Sequence, residues 1–146
     1  MLAKPFQQPA TPLSGQARVV DGDTLEIGRT KIRLFGIDAP ERSQTCEARG
    51  RDYPCGRRAQ DALTALIAGA EVACTKQDED RYGRIVGVCF AGGRDLNGAL
   101  VEAGWALAYR EYSRSYEDEE ATARQAKRGL WQGRFETPAE YRKRLR

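Results

Sequence analysis

Five side chains stand out for the chemistry they could do together: the carboxylates Asp23, Asp38 and Glu41, and the guanidinium groups Arg33 and Arg84. Hydrolysis of a phosphodiester needs a cation to bind the phosphate and offset its charge. It needs a base to activate or orient water. It also needs donors for the extra charge on the pentacoordinate transition state. Two aspartates, a glutamate and two arginines supply all three. The chain has no histidine, which excludes Ser-His-Asp and Cys-His catalysis and any zinc site with imidazole ligands. A metal site built from what remains would be oxygen-rich, which points to a hard cation such as Ca²⁺ or Mg²⁺.

Each motif also has a plainer explanation. Asp21-Gly22-Asp23-Thr24 reads as a turn. Asp38-Ala39-Pro40-Glu41 reads as a helix start, with Asp38 as N-cap and Glu41 closing a capping box. Asp80-Arg81-Tyr82-Gly83-Arg84 reads as a hairpin connection with solvated charges.

The elements that must position these residues follow from the pattern. Residues 17–20 and 24–27 read as strand segments broken at Asp21-Gly22, and Gly28-Arg29 as a tight turn. Residues 31–37 read as a strand with Ile32 and Leu34 on one face. Arg33 then points away from the core, and Asp38 and Glu41 follow just past the strand end. Residues 41–55 read as a polar loop. Ala59, Leu63, Leu66 and Ile67 set a helix over 56–68, stopped at Gly69. Residues 71–75 and 85–90 are short strands joined by a polar stretch. Helices are expected at 96–103 and 117–128, the latter with acids in its first turn. The fold class expected is α+β, a five-stranded OB-like β-barrel with three α-helices. The organisation expected is a flexible leader over 1–16, one domain over 17–136 and a basic, solvated tail over 137–146.

The 146 residues suit one domain with its own core. The net charge of +3, with 19 arginines against 5 lysines, is a weak pointer to a polyanion and also fits a GC-rich genome. No apolar run is long enough to cross a bilayer. The four cysteines form no C-x-x-C pair. Cys46 and Cys55 flank a short polar loop, and Cys74 and Cys89 lie on strands expected to be neighbours. Those two pairs are the preferred disulfides and imply an oxidising compartment, secreted or periplasmic. Four reduced thiols in a cytoplasmic protein are the alternative. A monomer is the default expectation.

Taken together, Val20–Thr24, Arg33–Glu41 and Asp80–Arg84 resemble the three active-site blocks of the staphylococcal nuclease (thermonuclease) family, in the family's order and at similar separations. Asp95-Leu96-Asn97 with Ala99-Leu100-Val101 is similar to its second-helix segment. The resemblance implies that Asp23, Asp38 and the carbonyl of Ala39 bind Ca²⁺, with Asp21 behind them. It implies that Glu41 is the general base or positions water, and that Arg33 and Arg84 hold the scissile phosphate. Tyr82 and Tyr109 match nucleotide-contacting positions. DNA and RNA would be the substrates, cut to leave a 3′-phosphate and a 5′-hydroxyl. Single strands are expected to be preferred, because their bases can stack on tyrosines. Ala39 stands where the best-known member has threonine, and the loop after Glu41 does not align cleanly. Two other readings use the same residues: an OB-like module that grips single strands without cutting, and a disulfide-stapled interaction domain with the acids as surface turns.

Overall fold

The computed structural model describes residues 12–109 and 114–146. The mixed α+β chain forms eleven short strands: β1 (Leu13–Gly15), β2 (Ala17–Asp21), β3 (Thr24–Ile27), β4 (Thr30–Leu34), β5 (Ile37–Asp38), β6 (Cys46–Ala48), β7 (Arg51–Tyr53), β8 (Val72–Glu79), β9 (Ile85–Ala91), β10 (Arg94–Asp95) and β11 (Leu107–Ala108). Four α-helices accompany them: α1 (Cys55–Ile67), α2 (Leu96–Glu102), α3 (Glu117–Gln125) and α4 (Pro138–Arg144). A 3-10 turn spans Gly129–Gln132. No helix among the described residues is long and apolar enough to cross a membrane.

The main sheet runs β1-β8-β9-β4-β3-β2, with β10 beside β9. Its pairings are antiparallel except β4 with β9. Strands β1 and β2 end the path, so among the described residues the pairings do not close it into the expected five-stranded ring. The inner face is apolar: Leu25, Ile32, Leu34, Val72 and Cys89 pack on Leu63 of α1 and Leu96 and Leu100 of α2. Asn97 is fully buried and ties three segments together. Its Oδ1 accepts from the Cys89 amide, and its Nδ2 donates to the Phe35 and Gly87 carbonyls.

Several boundaries differ from the sequence expectation. The strand expected over 31–37 is two pieces, because Gly36 takes φ 76° and turns the chain between β4 and β5. The polar stretch after residue 75 continues β8 as far as Glu79. The polar loop 41–55 contains the β6–β7 hairpin, turned at Arg49-Gly50 with φ 54° and 75°. Both central residues of that two-residue turn are left-handed, as a primed hairpin turn requires. Part of the expected leader is strand β1, which pairs Leu13 with Cys74. Residues 1–11 of the leader lie outside the described residues. The tail expected to be solvated carries α4, where Pro138 and Tyr141 are buried.

Disulfides join Cys46 to Cys55 and Cys74 to Cys89, and no described cysteine is free. Directly after Cys55, the backbone of α1 passes so close to the Glu41 carbonyl that only glycine fits at position 56. The same contact holds in a hydrogen bond, from the Gly56 amide to the Gln44 carbonyl at 3.1 Å.

Two consequences are measurable by urea unfolding. Gly56→Ala is expected to lower stability by about 1–3 kcal/mol, since the added methyl overlaps main chain rather than a movable side chain. Replacing Cys46 and Cys55 together by alanine is expected to cost about 2–3 kcal/mol, the loop-closure value for a bridge of this span. A change below about 0.5 kcal/mol in either case would contradict the packing described.

Candidate active site

The turn Asp21-Gly22-Asp23 links β2 to β3 and lies against the first part of α1. A Cβ on Gly22 would stand 2.8 Å from the Ala59 Cβ and 2.9 Å from the Ala39 Cβ. Small residues thus let the turn, the chain after β5 and α1 converge. Asp23 and Asp38 are buried in that corner, at 7% and 3% exposure. Asp23 is held by two donors: the Ala39 amide to Oδ2 at 2.9 Å and the Thr24 hydroxyl to Oδ1 at 3.2 Å. The same residues therefore form a turn and line the acidic corner.

Arg33 stands on β4, flanked by Thr24 of β3 and Val86 of β9. Its guanidinium bridges the two aspartates, Nη1 to Asp23 Oδ2 at 3.0 Å and Nη2 to Asp38 Oδ1 at 3.1 Å. As its phase along the strand implies, it points away from the apolar face that carries Ile32 and Leu34.

Glu41 follows β5 in a turn rather than in the helix start that its motif suggested. The organiser is Gln44, which is buried to 1% exposure. Its amide donates to the Glu41 carbonyl at 2.8 Å, its Oε1 accepts from the Glu41 amide at 3.2 Å, and its Nε2 donates to the Glu136 carbonyl at 2.9 Å. With the Gln44 backbone closing the turn and its side chain holding the Glu41 amide, the segment has no need of a helical ladder. Glu41 borders an open groove of about 840 Å³ lined also by Arg42, Ser43, Thr45, Pro54 and Arg57.

A residue that the sequence reading left in the solvated tail completes the cluster. Arg142 of α4 donates from Nη1 to Glu41 Oε1 at 2.7 Å, from Nη1 to Asp38 Oδ1 at 3.2 Å and from Nη2 to Asp38 Oδ2 at 3.1 Å. A capping box between Thr137 and Glu140 starts the helix, and the Tyr141 hydroxyl lies 2.8 Å from the Ser43 hydroxyl. The Thr-x-x-Glu box with proline at the first helical position was the signal in the sequence that a helix forms here.

The electrostatics are those of crowded carboxylates. Burial, then the neighbouring charges of Asp23 and Glu41, push the Asp21 carboxyl up to about 6, against the pull of the Gly22 amide and Arg33. Burial also raises Asp38, assisted by Asp23 and opposed by Arg142 and Arg33. Four carboxylates share the corner with two guanidinium groups, which leaves an excess of negative charge.

The donor chemistry fits a hard divalent cation: buried carboxylate oxygens in negative excess, with no nitrogen or sulfur ligand among the residues that line the corner. In the arrangement seen, no three acidic or cysteine side chains among the described residues converge as a ready-made metal site. The Asp38 and Glu41 oxygens face guanidinium nitrogens instead.

Arg84 and Tyr82 are placed differently. The Asp80–Arg84 segment is the β8–β9 hairpin connection. Asp80 Oδ1 accepts from the Tyr82 and Arg84 amides, and Asp80 Oδ2 accepts from Arg84 Nε at 2.7 Å. Those bonds from Arg84 and Tyr82 outweigh burial and hold the Asp80 carboxyl below the usual range. Arg84 immediately precedes β9, the neighbour of β4, yet its ion pair is with Asp80 and not with the acidic corner. Tyr82 is 70% exposed, with the Arg81 and Arg84 guanidinium groups 5.0 and 5.8 Å from its ring centre. Tyr109 follows β11, whose Leu107 pairs with Asp38, and its amide donates to the Gly36 carbonyl at 2.8 Å.

Comparison with known proteins identifies the family. The model of the family described as staphylococcal nuclease homologue matches residues 31–133. The chain is 40% identical over 131 residues to the succinoglycan biosynthesis protein ExoI of Rhizobium meliloti, covering 87% of this chain and 69% of that one. It is 41% identical over 124 residues to an uncharacterized endonuclease of Escherichia coli, covering 78% and 73%. It is 34% identical over 131 residues to the micrococcal nuclease of Shigella flexneri, covering 78% and 70%. With the family match spanning most of the chain and the Asp23–Arg33–Asp38–Glu41 cluster assembled, the protein belongs to the staphylococcal nuclease family.

Proposed function

We propose that the protein is a calcium-dependent endonuclease that hydrolyses phosphodiester bonds in DNA and RNA with little sequence specificity, single strands preferred, leaving 3′-phosphate and 5′-hydroxyl ends. The observation that carries the reading is the buried acidic corner, in which Arg33 bridges Asp23 and Asp38 beside Glu41. Relatives named as nucleases, 34% to 41% identical, support it.

Asp23, Asp38 and the Ala39 carbonyl would hold the cation, with Asp21 adding negative charge behind them. When bound, Ca²⁺ supplies charge neutralisation and polarisation at a phosphate oxygen. Glu41, half-exposed at the groove, takes a proton from the attacking water. Arg33 donates to the phosphate as negative charge builds on it. Arg84 joins it from the hairpin by exchanging its partly buried pair with Asp80 for the stronger claim of the phosphate. Arg42 and Arg57 line the groove next to Glu41 and suit the backbone of a strand running along it. Tyr82 and Tyr109 offer ring faces to bases. The two disulfides accord with a protein secreted or held in the periplasm; the proposed working form is a monomer.

A strand-binding module that does not cut is the second reading. The occupation of Asp38 and Glu41 by Arg142 favours it.

Two measurements test the proposal. Single-stranded DNA and RNA incubated with the protein in Ca²⁺ are expected to be cleaved, and cleavage is expected to stop in EDTA. Glu41→Gln is expected to lose at least about a hundredfold in rate, the scale of a general base; binding that persists in EDTA with no cleavage in any cation would instead establish the non-cutting module. Arg33→Ala is expected to cost about 10²–10³ in kcat, as loss of a transition-state donor does, and an unchanged kcat would remove Arg33 from the chemistry.

A further inference from the structure

We infer that Arg142 is an internal counter-cation, and that docking of α4 on the acidic corner and binding of a divalent cation there exclude one another. The inference rests on the reading of Asp38 and Glu41 as parts of a metal-dependent site and names how that site is regulated.

Both oxygens of Asp38 are already engaged. Oδ1 accepts from Arg33 and Arg142, and Oδ2 accepts from Arg142. Glu41 meets the same guanidinium at 2.7 Å. A calcium ion needs carboxylate oxygens at roughly 2.3–2.6 Å. With the guanidinium nitrogens about 3 Å from those oxygens, the two cations would share one position. Repulsion between them is only partly screened by solvent, because Asp38, which both would meet, is buried. One must leave, and Arg142 is the one on a movable support. Arg33 is fixed by strand pairing on both sides, whereas α4 is a seven-residue helix. Apart from Arg142 and the buried Pro138 and Tyr141, the hydrogen bonds that tie it down among the described residues are the Tyr141–Ser43 hydroxyl pair and the Gln44–Glu136 bond just upstream. A helix that short is not stable once undocked.

In the cation-free protein Arg142 therefore neutralises the carboxylates. When the cation arrives, α4 is released, carrying Arg142, Lys143 and Arg144 to the mouth of the site. Such coupling is reciprocal: whatever factor the cation exacts from docking, docking exacts from cation affinity.

Calcium titration calorimetry on the full chain tests this, alongside hydrogen exchange at residues 138–145. Arg142→Gln is expected to bind Ca²⁺ about tenfold more tightly than the unaltered protein, a coupling in the usual range. Lys143→Gln, which removes the same charge from an exposed position on the same helix, is expected to change affinity less than about twofold. Ser43→Ala, which cuts the tether without touching a carboxylate, is expected to shift affinity in the direction of Arg142→Gln. In the unaltered protein, Ca²⁺ is expected to speed exchange across 138–145.

Equal affinity in Arg142→Gln and the unaltered protein would overturn the inference while leaving the metal site standing. So would an equal gain in Lys143→Gln, or exchange in 138–145 that Ca²⁺ leaves unchanged or slows. Absence of Ca²⁺ binding in every variant would overturn the metal reading itself. The exchange experiment uses the unaltered chain, so it decides the matter even if Arg142→Gln does not fold.

Discussion

Like-charge crowding in a dry corner governs this structure. Asp21, Asp23, Asp38 and Glu41 are brought within electrostatic range of one another by a hairpin turn, a strand end and a clamped loop. Burial raises the Asp21 and Asp38 carboxyls, and repulsion from the neighbouring carboxylates adds to it. Arg33 makes the arrangement tenable, because the sheet fixes its backbone on both sides and delivers the guanidinium between two aspartates. The small residues Gly22, Ala39, Ala59 and Gly56 serve the same end by letting the segments approach.

Such a corner is poorly explained as a device for stability. Buried ion pairs often do no better than apolar groups of equal volume, since desolvation consumes much of the attraction. An apolar corner here would be the simpler fold. The retained charge accords with the proposed cation and phosphate site, and its compensation by arginine rather than lysine suits a carboxylate partner with two oxygens.

Much of this was legible in the residues, because much of it is local. The outward phase of Arg33 follows from Ile32 and Leu34, and the turn at Asp21-Gly22-Asp23 from its composition. The Cys74–Cys89 pairing follows from two neighbouring strands, and α1 and α2 from their apolar spacing. What escaped depends on contacts distant in sequence. Gln44 looks like any polar loop residue, and its burial is set by Glu136, 92 positions on. The β6–β7 hairpin has no alternating apolar pattern; the Cys46–Cys55 bridge and the Glu47–Arg134 pairing hold it. Arg142 sits among charges, and its partners lie 101 and 104 positions earlier. The capping box at Thr137 was readable as a helix start, yet nothing in it says where the helix docks. Arg84 falls between these cases: its place on the hairpin was legible, and its pairing with Asp80 is a local bond that any such turn could make.

The separation of the two site arginines has a consequence for synthesis. Chains are made from the N-terminus, so Asp23, Arg33, Asp38 and Glu41 exist together long before Arg142 is added. Whatever part of the corner folds in that interval has only one of its two internal cations. A nascent chain is accordingly more acidic at this spot than the finished one, and it must either leave the corner hydrated or recruit a cation from its surroundings. Arg142 is thus the last of the cluster's charges to be made, and until α4 docks the carboxylates of the corner have Arg33 alone.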